Sequence, residues 1–160
     1  MSKKLTHLDA SGNVSMVNVG QKKVSLRTAR AQSIVILSEE ILEQLEGREL
    51  QSKKGPVFQT AIIAGVMAAK KTGELIPLCH PLGLDNCQID IQVNEQKEVV
   101  INCTASLTAK TGVEMEALVG ASMAALTIYD MCKAMSHDII IKETKLMEKT
   151  GGKRDFFREE

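Results

Sequence analysis

The sequence predicts an α+β fold in which helices cover one face of an antiparallel sheet. Three features predict it. Several segments alternate apolar and polar residues or are dense in β-branched ones, two longer segments carry small and apolar residues at helical spacing, and the elements follow one another as strand, two helices, strand, strand, helix, strand.

Residues 1–28 are polar and irregular, with Gly12 and Gly20, and read as an N-terminal arm. Residues 29–160 read as one domain, a size that suits a single core. Its first element is Ala29 to Leu37, β-branched on both faces as a central strand requires. Ser38 is placed to cap a short helix with Glu39 and Glu40 in its first turn and Gly47 past its end. Pro56 opens a second helix from Val57 to about Lys71, whose centre of Ala61, Ala64, Gly65, Ala68 and Ala69 invites close approach of another element or subunit. Pro77, Pro81 and Gly83 stiffen the loop that follows. Cys87 to Val93 and Val99 to Leu107 alternate cleanly around a turn at Asn94 to Lys97, predicting a hairpin.

The longest apolar run, Lys110 to Met135, reads as a helix opened by a Thr111–Glu114 capping box. Its residues are apolar or small in nearly every direction, which predicts burial all round. His137 to Met147 is the last strand. Leaving out the short helix, the order is βαββαβ, the ferredoxin-like split unit. An open sheet face and an over-apolar helix both point to an oligomer.

Lys+Arg and Asp+Glu balance at 20 each, and the aromatics are only Phe58, Tyr129, Phe156 and Phe157. Neither a basic field nor a stacking platform favours nucleic acid. No run reads as a membrane span, and MSKKLTHLDA lacks the apolar core of a secretory signal, so a cytoplasmic protein is expected. Cys79, Cys87, Cys103 and Cys132 show no C-x-x-C spacing, and reduced, mostly buried thiols are expected.

Candidate chemistry gathers at a few positions. Glu114 and Glu116 at the start of the long helix, and Lys133 at its end, satisfy the helix dipole. Asp130 opposes it, either as a local pair with Lys133 or as an active-site carboxylate. Lys53 and Lys54 precede a helix N-terminus, a combination that attracts anions. Lys149-Thr-Gly-Gly-Lys153 is either an anion cradle or a flexible tail. Arg27 and Arg30 are phosphate ligands or solvated strand-edge residues. His80 sits in the proline-stiffened loop as a substrate clamp or a carbonyl partner, with His7 and His137 too isolated to form a metal site with it. Glu116 and Asp130 stand fourteen residues apart, roughly 21 Å in rise and about 40° in angle on a straight helix. They share a face without sharing a pocket, unless antiparallel copies cross at a two-fold axis and make a composite site.

PLCHPL at 77–82, KTGVEMEAL at 110–118 and ALTIYDMCKA at 125–134 together resemble the MoaC family, the cyclic pyranopterin monophosphate synthases of molybdenum cofactor biosynthesis. KGPVFQTAIIAG at 54–65 and KTGGK at 149–153 resemble further blocks of that family in the same order. The resemblance implies a ferredoxin-like subunit in a homohexamer, a trimer of dimers with sites at the dimer interface. It implies a lyase that converts a 3′,8-cyclo-7,8-dihydroguanosine triphosphate to cyclic pyranopterin monophosphate with release of pyrophosphate. Matched by position, Asp130, Lys54 and Lys133 take catalytic roles. Leu78, Cys79, His80, Met115, Glu116, Glu114, Arg27 and Lys149 take substrate-binding ones. A lysine lowered in pKa by burial and cationic neighbours would move protons. No protein-bound cofactor or metal is implied; Mg²⁺ accompanying the triphosphate stays open. Two departures stand out: Asn18 replaces the usual aspartate of the arm's Met-Val-Asp-Val, and Arg154-Asp155 follow Lys153 directly in a shortened tail. A nucleotide-sensing module and a metal-dependent nucleotide hydrolase are the rival readings; the latter lacks an evident carboxylate cluster for magnesium.

Overall fold

A computed structural model describes residues 7–159; the first six residues of the arm lie outside them. The elements run β1 (Ser25–Ile36), α1 (Glu39–Leu42), β2 (Leu45–Glu46), β3 (Glu49–Ser52), β4 (Gly55–Pro56), α2 (Val57–Lys70) and α3 (Thr72–Leu75). They continue with β5 (Asn86–Val93), β6 (Glu98–Ala109), α4 (Glu114–Cys132), β7 (Ile140–Thr150) and β8 (Phe156–Phe157). The fold is α+β. Its main sheet has the order β5-β6-β1-β7-β8, with every neighbouring pair antiparallel. A second, three-stranded sheet, β2-β3-β4, stands beside it.

Side chains alternate across the main sheet with the two-residue period of a strand. Ala29, Ala31 and Val35 of β1 pair with Ala105, Cys103 and Val99 of β6, and all six are fully buried. They lie on the side covered by α2 and α4. The opposite side is polar, where Arg30 donates to Asn102 Oδ1 at 2.9 Å and meets Glu148 at 3.6 Å.

The small residues of α2 and α4 let the two helices touch through their backbones. A Cβ on Gly65 would stand 2.7 Å from the Gly120 carbonyl oxygen and overlap Ile89, while one on Gly120 would stand 2.6 Å from Cys103 Sγ. The element that the small centre of α2 receives is therefore α4. The expectation that α4 is buried all round needs correcting within one chain. Leu126 and Met115 are exposed on it, as are Ile63 and Met67 on α2.

Boundaries differ where tertiary pairing decides them. β1 starts at Ser25 rather than Ala29, because residues 25–28 find partners in Ser106 to Ala109. β7 ends at Thr150 rather than Met147, and Thr28 pairs with Thr150. The KTGGK segment is thereby partly strand, not a loose tail. Ser25 Oγ donates to the Gly151 carbonyl at 2.6 Å, and β8 returns to pair with β7. The capping box does not form. α4 begins at Glu114, with Val113 before it at φ −117° and ψ 24° and no side-chain cap, so Thr111 lies two residues outside the cap position; the Glu114 carboxylate accepts from Lys149 instead. Ser38 sits at the N-cap of α1 without a side-chain bond. The strands β2, β3 and β4 are two to four residues long, too short to show any period in the sequence. The sulfurs of Cys87 and Cys103 lie 3.8 Å apart across the β5–β6 pair, and both are free thiols. No helix among the described residues is long and apolar enough to cross a membrane.

Candidate functional site

The two ends of α4 carry two separate groups of polar side chains. At the C-terminal end, Asp130 accepts from Lys133 at 2.7 Å and from Lys54 at 2.9 Å. Lys133 is the local partner that helix spacing provides. Lys54 arrives from the tip of the β3–β4 hairpin, 76 positions away in sequence. That tip is a two-residue turn, Lys53-Lys54, followed by Gly55 at φ +114°, a conformation that favours glycine. Ser52 Oγ donates to the Gly55 carbonyl at 3.0 Å and accepts from the Lys54 N–H at 3.1 Å, which fixes the turn. The local pair and the long-range contact thus coexist on one carboxylate. Beside them opens a cavity of about 630 Å³, lined in part by Ser52, Lys53, Lys54 and Met131.

The charges of this group define its protonation. Lys133 first, and Lys54 with it, hold the Asp130 carboxyl down at about 2. Asp130 in turn pushes the Lys133 ammonium above its usual value. This corrects the expectation of a lysine lowered by burial. All three side chains are about half exposed in the single chain, so desolvation is too weak to oppose the ion pairs.

At the N-terminal end of α4 lies a cleft of about 280 Å³, lined by Leu78, Cys79, His80, Glu114, Met115 and Glu116 together with arm residues. His80 Nε2 is 2.7 Å from the Val17 carbonyl oxygen, so the arm forms one wall of the cleft. His7, thought isolated from His80, lines the same cleft, as does Lys22. Glu116 is almost fully buried, and that burial pushes its carboxyl up, with the neighbouring Glu114 adding to the effect. Burial also raises the Cys79 thiol. Glu114 accepts from Lys149 at 2.9 Å. Arg27, Lys149 and Gly152 line a small recess with Glu114, and the Arg27 Nε is buried without a partner among the described residues.

The structure therefore brings the sequence-predicted residues into two sets: Lys54, Asp130 and Lys133 at one end of α4, and Arg27, Leu78, Cys79, His80, Glu114, Met115, Glu116 and Lys149 near the other. Glu116 and Asp130 are separated along the helix by roughly 21 Å, at 1.5 Å per residue.

Both anion cradles expected from sequence are occupied by carboxylates of the chain itself. At the α2 N-terminus, Glu49 accepts from the Phe58 N–H at 2.7 Å and the Gln59 N–H at 3.1 Å. At the glycine pair, Asp155 accepts from the Gly151 N–H at 3.1 Å. Sequence reasoning missed Glu49 because no local pattern links it to a helix that starts eight positions later. Asn18, in place of an aspartate, accepts from the Gly20 N–H at 2.9 Å, a local turn bond that needs no charge. Among the described residues no three His, Cys, Asp or Glu side chains converge in a metal-binding arrangement.

Comparison with known proteins gives the geometry its context. Residues 16–152 match the MoaC family. The chain is 51% identical over 154 residues to a cyclic pyranopterin monophosphate synthase of Xanthomonas campestris, covering 96% of this chain and 93% of that one. It is 55% identical over 154 residues to a molybdenum cofactor biosynthesis bifunctional protein of Synechocystis sp., covering 94% of this chain and 44% of that one. A third relative, molybdenum cofactor biosynthesis protein 1 of Dictyostelium discoideum, is 46% identical over 165 residues. This chain spans 26% of that protein, so it corresponds to part of the two larger relatives and to nearly all of the first.

Proposed function

The chain belongs to the MoaC family, and on that premise we propose that it is a cyclic pyranopterin monophosphate synthase of molybdenum cofactor biosynthesis. It takes 3′,8-cyclo-7,8-dihydroguanosine 5′-triphosphate to cyclic pyranopterin monophosphate and pyrophosphate, as a phosphorus–oxygen lyase in the cytoplasm. The observation that carries this reading is the Lys54–Asp130–Lys133 group. It joins a residue of a remote hairpin to the end of α4 within hydrogen-bonding distance.

The chemistry asks for two things. Closing a cyclic monophosphate from a triphosphate requires a substrate hydroxyl to lose its proton as its oxygen attacks the α-phosphorus, with pyrophosphate leaving. Rearranging the purine ring requires further proton transfers. Lys54 and Lys133 are the proton carriers in this reading, and Asp130 tunes and orients both. Arg27 and Lys149 take the triphosphate, for which charge-assisted donors are suited. Glu114, Glu116, Met115 and the Leu78-Cys79-His80 loop hold the rest of the substrate. The reading assigns no resident cofactor to the protein and places any Mg²⁺ on the triphosphate.

We read the active unit as a dimer within a homohexamer, a trimer of dimers. Two copies of α4 running antiparallel about a two-fold axis put the Asp130 end of one protomer against the Glu116 end of its partner. The exposed Ile63, Met67, Met115 and Leu126 support an apolar helix-face contact of this kind. We read the subunit as ferredoxin-like. The succession β1, α2, β5, β6, α4, β7 and the neighbour order β5-β6-β1-β7 support that topology.

The test is incubation with the cyclic triphosphate and assay of pyrophosphate and pterin. Equimolar production of both is expected; binding without turnover, or free phosphate without pterin, would overturn the reading.

A further inference from the structure

Glu49 does something that no family motif in this chain accounts for. It starts β3, and its carboxylate reaches across to the first turn of α2. One oxygen, Oε1, accepts from two backbone N–H groups at 2.7 Å each, those of Leu50 and Phe58. The other accepts from the Gln59 N–H at 3.1 Å. Leu50 is on β3, the first leg of the hairpin that carries Lys54, and Phe58 is in the first turn of α2, just past the second leg. The hairpin's own ladder consists of Gln51 opposite Pro56 and Ser52 opposite Gly55. Pro56 has no N–H and Gln51 gives its own to the Gln44 carbonyl at 3.2 Å, so neither amide N–H of that pair bonds across the hairpin at its base. The Glu49 carboxylate closes the base instead, while Ser52 closes the tip.

We propose that Glu49 is a positioning residue for Lys54: it staples the base of the β3–β4 hairpin to the α2 N-terminus, and so sets the place from which Lys54 reaches Asp130. A carboxylate suits the task. The first turn of a helix offers unsatisfied N–H groups and a positive dipole end, and both favour an anion there. The staple also keeps those N–H groups from the substrate. A flexible lysine on a two-residue turn has many rotamers, and a displacement of about 1 Å at a reacting group can cost on the order of 100-fold in rate.

The role in catalysis rests on the synthase reading, whereas the placement of Lys54 can be read without it. Trace labelling with acetic anhydride, followed by digestion and mass spectrometry, gives the acetylation of Lys54 relative to Lys97. Lys97 is an exposed lysine paired with Glu39 at 3.1 Å. In full-length Glu49→Ala this ratio is expected to rise severalfold, as Lys54 leaves Asp130. In the synthase assay kcat is expected to fall about 100-fold with KM changed less than about threefold, the signature of lost positioning. Glu49→Gln keeps one acceptor oxygen for Leu50 and Phe58 but turns an amide donor toward Gln59, and should fall between wild type and Glu49→Ala on both readouts. It serves if the alanine variant does not fold. A lower melting temperature with an unchanged labelling ratio in either variant would make Glu49 merely structural and overturn the proposal. A changed ratio in the variants, together with a wild-type protein that makes no pterin, would uphold the placement while refuting the synthase reading.

Discussion

Lys54 donates to Asp130 at 2.9 Å across 76 positions of sequence, while Lys133 donates to the same carboxylate at 2.7 Å from only three positions away. The second contact is one that helix geometry provides cheaply. The first requires the β3–β4 hairpin, the Glu49 staple and the end of α4 to be in register. Lys54→Ala is therefore expected to lower kcat by at least about 100-fold, in the range for loss of an acid–base group, with unchanged circular dichroism and oligomer size. A change in oligomer size would make the lysine structural.

The same carboxylate sets a pH signature. Asp130 raises the Lys133 ammonium above its usual value, so Lys133 stays protonated to higher pH than a free lysine. In Asp130→Asn that support is lost and the ammonium titrates earlier. The basic limb of the kcat/KM profile should move to lower pH, if Lys133 is the titrating group. An unmoved limb would assign that limb to another residue.

Glu116 gives a test with the opposite sign. Burial raises its folded-state pKa above the unfolded value, so its contribution favours the fold below the unfolded pKa and is lost as pH rises through the raised one. Glu116→Gln removes the charge but keeps the shape. Melting temperatures are expected to show the variant gaining on wild type at pH 7 and losing that advantage at pH 4, with activity reduced. Equal differences at both pH values would mean that folding leaves the Glu116 carboxyl at its unfolded-chain pKa, contradicting the upward shift.

The α2–α4 contact sets the frame for both ends of the site. A Cβ on Gly120 would sit 2.6 Å from Cys103 Sγ and 3.4 Å from Ala69 Cβ. Gly120→Ala should destabilise by about 1–3 kcal/mol in denaturant titration, the usual cost of overpacking. Cys103→Ala in the same chain should return part of it, because neighbouring sites are not additive.

Much of this was legible in the sequence, and the unread parts have a common cause. The Cys87 to Val93 and Val99 to Leu107 strands were found within a residue or two because their burial alternates with period two, a local property. The long helix is legible for a similar reason, but its start is not at Thr111, since Val113 leaves the helical region and the Thr111–Glu114 spacing alone does not reveal it. The gathering of Lys54 with Asp130 was reachable only through the family resemblance, because no spacing rule joins residues 76 apart. The anion cradles at Lys54 and Gly151 misled because a backbone N–H does not reveal which carboxylate it will meet. Glu49 and Asp155 were both in plain view, yet only the folded chain assigns them.

The composite site is tested most directly by mixing two inactive variants. Asp130→Ala and Glu116→Ala subunits are co-expressed in equal amounts, purified as oligomers and assayed for pterin. If each site takes Asp130 from one protomer and Glu116 from its partner, half of the dimers pair the two variants and each holds one intact site. Activity should then recover to about a quarter of wild type. Activity no higher than that of either variant alone would contradict a shared site.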